Sequence, residues 1–238
     1  MAHPLPGASR PRRVPWRAVA CLAALAFFAC GSAEPDVNTL LRDAKATIDG
    51  AKSAHFKLTS SNATGSGALI TGGEGDMQRP AGFAGTLDVT VSGFAVGVQI
   101  VSYNGTFYVK LPTDAGFTKA DPSEYGFGDP AKLLDKQRGL SSLLLQCSGA
   151  HRGDSDRYKN EQLDEVKCSL PGKQVGDLLT SADPSQPVAA TLGIDPDSHQ
   201  LRRAVLTGPF FSRTARSSFT VVLDDYGENV TVTAPATS

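Results

Sequence analysis

The segment GTLDVTVSGFAVGVQIVSYNGTFYVKL, residues 85–111, determines the fold class of this 238-residue chain. Apolar side chains occupy every second position in three successive runs, which is the two-residue period of a β-strand with one buried face. The pairs Ser92-Gly93 and Asn104-Gly105 separate the runs, and Asn-Gly between alternating runs is a strong hairpin signal. The segment therefore predicts an antiparallel meander with one apolar face.

Similar patterns on both sides of this meander extend the predicted sheet. Phe56 and Leu58 alternate with polar residues before it, and Gly72-Gly73 is interpreted as a turn between strands. The last two predicted strands are joined by a turn at Tyr226-Gly227. The strands predicted after the meander are 162–170, 189–195, 200–207, 219–224 and 229–233.

Helical patterns are fewer than strand patterns. Asp36 is the predicted N-cap of an amphipathic helix, and Asp129-Pro130 starts a leucine-rich pair of short helices around Gly139. Because the helices interrupt an antiparallel sheet and must cover its apolar face, we predict an α+β fold in which one curved sheet wraps the helices. The helical regions are 37–51, 130–145 and 173–180.

The first 29 residues have the pattern of a secretory signal peptide. They contain four arginines and no acidic residue, and their apolar run at 18–29 is too short to span a hydrocarbon core of about 30 Å. Ala29 precedes Cys30, which resembles a lipobox, although Phe27 stands where leucine is usual. We predict cleavage before Cys30 and acylation of its thiol. The alternative is an ordinary signal peptide with an unrelated cysteine.

These features predict the domain organisation and the location of the protein. We expect a signal peptide at 1–29, an acylated tether at 30–36 and a single α+β domain at 37–238. The protein is then exported and held at the outer face of the plasma membrane, in the cell envelope, by a diacylglyceryl-cysteine. Loss of the four signal-peptide arginines leaves 19 basic against 24 acidic residues, and this net negative charge disfavours both nucleic acid and anionic surfaces as partners.

Cys147 and Cys168 are the two cysteines of the predicted folded domain. Export places them under oxidising conditions, so we predict a disulfide that contributes roughly 3 kcal/mol. A metal site is the alternative, but it needs more ligands, and His151 is the only histidine near them in sequence. We expect no metal and no cofactor.

The sequence contains no catalytic constellation that we recognise. It has no Gly-x-Ser-x-Gly elbow, and the glycine pairs lack the strand-to-helix context of a phosphate-binding loop. We therefore predict that the protein is not an enzyme. The alternating pattern by itself favours a filled core over a ligand cavity.

Several segments, taken in order, give the chain a family resemblance. Over residues 36–235 it resembles the actinobacterial LppX/LprA/LprF/LprG lipoproteins. The segments that carry the resemblance are AKSAHFKLT (51–59), GTLDVTVSG (85–93), VSYNGTFYVKL (101–111), GFGDPAKLLDKQRGLSSLLL (126–145), QPVAATLGIDPDSHQLRRAVL (186–206) and DDYGENVTVTAPA (224–236).

The resemblance implies a half-barrel sheet wrapped around helices, similar to the periplasmic lipoprotein carriers, with a large apolar cavity between them. It implies that this cavity holds the acyl chains of multi-acylated lipids or glycolipids, which are carried from the plasma membrane toward the outer envelope. We predict a mouth in the loop 114–128, with Phe117, Tyr125 and Phe127 at its rim. The predicted cavity lining is Phe56, Leu58, Leu87, Val89, Val91, Val96, Val98, Ile100, Leu133, Leu143, Val221 and Leu223.

Two other functions remain open at this stage. The first is a scaffold lipoprotein that carries nothing and is a partner of a membrane transporter. The second is a hydrolase of envelope lipids, which the missing pairing of a nucleophile with a histidine disfavours.

Overall fold

An antiparallel sheet with a small number of short helices forms the structure, which is a computed structural model. It describes residues 36–65, 68–125 and 128–237, together with residues 1 and 3. The described elements lie in one compact unit, Pro35–Ser238. Cys30, the predicted signal peptide apart from residues 1 and 3, and Phe127 lie outside the described residues. Within the described part of the chain, no helix has the length and apolar character needed to cross a membrane.

Twelve strands and three α-helices are present in the described ranges. The strands are β1 Ser53–Ser61, β2 Ala68–Gln78, β3 Gly82–Val91, β4 Phe94–Tyr103, β5 Thr106–Lys110, β6 Thr118–Ala120, β7 Ser148–Arg152, β8 Asp156–Tyr158, β9 Glu161–Leu170, β10 Val188–Ile194, β11 Leu201–Gly208 and β12 Ser217–Asp224. The helices are α1 Val37–Gly50, α2 Leu140–Leu144 and α3 Gly172–Gly176, with 3₁₀ turns at Pro122–Tyr125 and Pro130–Lys132.

The strands form one sheet made of two meanders. The order is β6-β5-β4-β3-β2-β1-β12-β11-β10-β9-β7, with β8 paired to β9. We call β1–β6 the N-terminal half and β7–β12 the C-terminal half. The halves meet where β1 pairs antiparallel with β12, with Phe56 opposite Leu223 and Leu58 opposite Val221. The predicted fold class, a curved antiparallel sheet with covering helices, is confirmed.

The two predicted hairpins of the meander are confirmed. Ser92 and Gly93 have φ values of 51° and 85°, and Asn104 and Gly105 have φ values of 51° and 78°. Two successive residues with positive φ make the tight turn whose twist matches that of antiparallel strands. Local turn chemistry thus sets the register from β3 to β5.

The interpretation of Gly72-Gly73 as a turn is wrong, because both residues lie inside β2. The strand is rich in glycine because it packs closely on β3, where Gly75 lies directly opposite Gly85. A Cβ on Gly75 would lie 2.5 Å from the carbonyl oxygen of Ala84, which no side chain tolerates. Close approach of the two backbones, and not a turn, requires glycine there.

The predicted strand 229–233 is also wrong. Both edges of β12 are already paired, with β1 on one side and β11 on the other. The C-terminal segment instead binds the side chain of Gln78, whose Nε2 donates to the Val230 carbonyl at 2.9 Å and whose Oε1 accepts from the Val232 amide at 2.8 Å. Val232 is buried, so its apolar alternation reflects a contact outside the sheet ladder.

The predicted helix starts are confirmed. The Asp36 carboxylate accepts from the Asn38 amide at 3.1 Å and begins α1, which buries one stripe of apolar residues. The Asp129 carboxylate accepts from the Ala131 amide at 3.0 Å and also from the Ser102 hydroxyl on β4. The predicted helix 173–180 is shorter than expected, since α3 ends at Gly176 and turns follow it.

Candidate functional site

Three small apolar spaces lie in a row between the sheet and its covering segments. The N-terminal space has a volume of about 50 Å³, and the middle and C-terminal spaces have about 30 Å³ each. The first two share Phe56, Leu58, Leu133, Leu178 and Leu179. The middle and C-terminal spaces share Leu140, Leu143, Leu206 and Val221.

These volumes are too small for an acyl chain. A space that holds one water molecule has a volume of about 10–15 Å³, whereas a ligand pocket has about 300–1,000 Å³. None of these three spaces is the large apolar cavity that the resemblance implies. A lipid enters this row only if the side chains or the covering segments move apart.

Eight of the twelve residues predicted to line a cavity border these spaces. Val89 and Val98 are buried without bordering them, and Val96 is half-buried. The prediction that Val91 lines the interior is wrong, because 43% of the Val91 surface is exposed. It has the correct parity, but β3 extends here beyond the segments that cover the sheet. The eight bordering residues are Phe56, Leu58, Leu87, Ile100, Leu133, Leu143, Val221 and Leu223.

An aromatic pocket of about 200 Å³ adjoins the N-terminal space and shares Ile70 and Leu179 with it. The ring of Phe219 lies 4.9 Å from that of Phe210 and 5.4 Å from that of Phe211, measured between centroids. Edge-on packing of this kind stabilises the wall.

The loop predicted to form the mouth contributes only part of this pocket. Tyr125 lines the pocket, whereas Phe117 forms an isolated parallel β-bridge with Thr237 of the C-terminal segment. Of the three predicted rim residues, Tyr125 alone is therefore placed at an opening, and Phe127 lies outside the described residues.

A polar pocket of about 370 Å³ adjoins the N-terminal space on another side, and the two share Gly128, Leu133 and Leu178. Lys132 and Arg138 line it, and both side chains are exposed. In the described ranges neither side chain makes a hydrogen bond or an ion pair.

Two carboxylates face the same polar pocket. Asp129 is held as a helix cap, and Asp177 lies 3.7 Å from the Lys173 amine. The pocket thus offers both cations and hydrogen-bond acceptors beside an apolar opening.

Helix α2, which covers the C-terminal space, is tied at both of its ends. Cys147 follows the helix and forms a disulfide with Cys168 on β9, with a Cα–Cα distance of 5.3 Å. Near its start, the Ser141 hydroxyl donates to the Asp49 carboxylate of α1 at 2.6 Å, and Lys45 donates to the same carboxylate at 2.7 Å.

The Asp49 carboxylate is kept ionised by its neighbours. Burial by itself would raise the pKa of Asp49, but the hydrogen bonds from Lys45 and Ser141 and the charges of Lys45 and Arg79 lower it below its ordinary value. The hydrogen bond from the Ser141 hydroxyl of α2 to the Asp49 carboxylate of α1 therefore has a charged acceptor. Such a hydrogen bond is stronger than one between neutral groups.

Catalytic groups are not brought together in the described residues. His55 Nδ1 lies 2.8 Å from the Asp76 carboxylate, and His151 Nδ1 lies 2.9 Å from the Gly149 carbonyl oxygen. Within 36–65, 68–125 and 128–237, no group of three or more His, Cys, Asp or Glu residues is arranged to hold a metal ion.

In the described residues, a curved antiparallel sheet and its covering segments enclose a row of small apolar spaces. Residues 36–232 match the LppX_LprAFG lipoprotein family, and the chain belongs to this family. Its members are lipid carrier lipoproteins and not enzymes. The predicted resemblance and the predicted absence of catalysis are both confirmed.

Related proteins and structures support this assignment. The chain is 27% identical to the lipoarabinomannan carrier protein LprG of Mycobacterium tuberculosis over 240 residues, which cover 95% of this chain and 97% of that protein. It is 31% identical to LprG of Mycolicibacterium hassiacum over 214 residues, or 85% of each chain.

Two solved structures share the fold. LprF from Mycobacterium bovis has a TM-score of 0.69 at 20% identity, covering 86% of this chain and 100% of that one. LppX from Mycobacterium tuberculosis has a TM-score of 0.60 at 20% identity, covering 84% of this chain and 100% of that one.

Proposed function

We propose that this protein binds a multi-acylated lipid or glycolipid between its sheet and its covering segments, and delivers it from the plasma membrane toward the outer envelope. Membership of a lipid carrier family supports this proposal, as does the naming of its LprG relatives as lipoarabinomannan carriers. The observation that carries it is the row of adjoining apolar spaces, which share lining residues from the aromatic and polar pockets to Cys147. We propose that acylated Cys30 keeps the protein beside the membrane.

The energetics of lipid transfer favour an enclosed apolar interior. Each methylene group exposed to water costs about 0.8 kcal/mol, so an acyl chain cannot cross the aqueous part of the envelope alone. An interior lined by leucine, valine and phenylalanine removes this cost without any reaction. The small volumes described above require that the interior widens as the chains enter.

We propose that the lipid headgroup occupies the polar pocket while its chains pass between Leu133 and Leu178. Lys132 and Arg138 have the charge that a phosphate group requires, and both side chains are exposed at the polar pocket. The carboxylates of the same pocket can accept hydrogen bonds from sugar hydroxyls. A phosphorylated glycolipid fits this combination better than a neutral triacylglycerol.

The test is mass spectrometry of lipid that copurifies with the non-acylated unit Pro35–Ser238, produced in an actinobacterial host. We expect bound lipid in the wild type and its loss in Leu178→Trp, because the indole fills the passage from the polar pocket. Leu145→Trp is the matched control, since Leu145 is 52% exposed and lines none of the spaces described here. Circular dichroism checks that both variants fold.

The nearly filled interior favours one alternative function, a scaffold lipoprotein that binds a membrane transporter and carries no lipid. In that case the folded wild type carries no lipid, and Leu178→Trp behaves like Leu145→Trp. Such a result would remove the carrier proposal and leave the fold and family membership intact.

A further inference from the structure

An apolar hairpin tip projects from the end of the sheet where β3 passes into β4. Phe94 is 76% exposed and is the most exposed large apolar side chain in the described domain, and Val91, its cross-strand partner, is 43% exposed. The turn between them is fixed by two residues with positive φ. Because they are cross-strand partners, the two side chains lie next to each other at the tip.

Residues at the same end of the sheet line part of the aromatic pocket. Strand pairing aligns Val91 with Ala68 at the start of β2, and Ser61 at the end of β1 with Ser218 on β12. Leu69, next to Ala68, and Phe211, in the loop between β11 and β12, both line the aromatic pocket. The apolar tip and this pocket thus lie at one end of the molecule.

The net charge of the chain disfavours an anionic surface, but the loop between β11 and β12 gives this end of the sheet a local positive charge. Residues 209–216 include Arg213 and Arg216 and no acidic residue. The Arg213 side chain is 91% exposed, and its only ion pair in the described ranges is at 3.8 Å, from Nε to the Asp183 carboxylate. An exposed guanidinium and an exposed aromatic tip therefore face solvent together.

We propose that this end of the sheet docks on a bilayer that contains anionic lipid. Phe94 and Val91 enter the interfacial region, and Arg213 lies among the anionic headgroups. Apolar side chains beside basic ones are the combination that holds proteins at such a surface. Docking in this orientation directs the aromatic pocket at the acyl chains. Docking goes beyond the proposed carrier function, but it rests on that function for its role, which is to bring the aromatic pocket to membrane lipid.

Vesicle sedimentation tests the proposal with the non-acylated unit Pro35–Ser238, which contains every residue of the hydrophobic core. We expect the wild type to bind vesicles of phosphatidylcholine with phosphatidylglycerol, and to bind phosphatidylcholine vesicles more weakly. Phe94→Ser should weaken binding about tenfold or more, since the favourable transfer of the phenylalanine side chain from water into the bilayer interface is lost. Arg213→Gln should weaken it about fivefold, and only with anionic vesicles.

Leu145→Ser is the control, because Leu145 is also an exposed apolar residue but lies after α2. The proposal is overturned if the wild type does not bind anionic vesicles, or if Leu145→Ser weakens binding as much as Phe94→Ser. Lipid content is measured in parallel and should stay unchanged in Phe94→Ser. A wild type without copurified lipid that still binds vesicles would contradict the carrier function and support the docking.

Discussion

The two helical covers of the sheet are held in different ways. Helix α2 is tied by a disulfide and by the bond from Ser141 to the Asp49 carboxylate. The segment containing α3, residues 171–187, reaches the N-terminal half through the apolar side chains Leu178 and Leu179. The two larger pockets also adjoin the N-terminal half. We infer that α2 is a fixed wall and that the α3 segment is the cover that moves.

Removal of the disulfide should have the largest effect on stability and little effect on lipid binding. The double variant Cys147→Ser with Cys168→Ser should lower the free energy of unfolding by about 3 kcal/mol, because a loop with a sequence separation of 21 residues is no longer closed in the unfolded chain. Urea titration measures this loss.

The same variant tests which cover moves. Below its unfolding midpoint it should retain its copurified lipid, since the passage beside Leu178 is unchanged. Loss of lipid from the folded double variant would show instead that α2 controls entry.

The bond between α1 and α2 should have the next largest effect. Ser141→Ala removes a hydrogen bond to a charged group and should cost about 2 kcal/mol of unfolding free energy. Ser142→Ala is the matched control, because the Ser142 hydroxyl donates to the neutral Gly139 carbonyl at 2.7 Å. An equal cost in both variants would contradict the special role of the charged acceptor.

The low pKa of Asp49 makes this bond sensitive to acid. Since its pKa in the folded protein lies below the ordinary value of 3.8, Asp49 contributes stability that is fully present above that value. The contribution is lost as the pH falls through the lower folded pKa. Urea titrations near neutral pH and near pH 3 should therefore show a smaller acid loss in Asp49→Asn than in the wild type.

A substitution in the polar pocket should have a smaller effect than loss of the disulfide or of the hydrogen bond from Ser141 to Asp49. Lys132→Gln should weaken retention of a phosphorylated glycolipid about fivefold relative to a neutral lipid, because one charge-assisted contact to the phosphate is lost. Lys136→Gln is the control, since Lys136 is exposed nearby but does not line the pocket. Equal retention by the two variants would contradict binding of the headgroup beside Lys132.

The N-terminal meander could be predicted from sequence because its signals are local. Alternation from Leu87 to Ile100 and the pair Asn104-Gly105 specify strands and turns without reference to the rest of the chain. The glycines of β2 could not be interpreted in this way. Their cause is the contact of Gly75 with Gly85 across the ladder, and the same glycines in isolation favour a turn.

The candidate site could be predicted mainly on the side of the sheet, and Leu133 and Leu143 were the residues of the covering segments that were also identified. Phe56 and Val221 were identified because strand parity assigns each residue to one face. Leu178 and Leu179 were not, because their contacts depend on how the α3 segment folds back across the sheet, which no local period encodes. The polar pocket was missed for a similar reason, since Lys132 and Arg138 meet through an irregular turn.

The pairing of β1 with β12 also fixes when the interior can be assembled. His55 pairs with Asp224, and most of the chain lies between them. Because closing such a long loop costs conformational entropy, we expect this contact to form late in folding. Until β12 pairs with β1, the chain has two unjoined half-sheets. No interior can be enclosed between them before this pairing, and each unjoined half is exposed to aggregation during that interval.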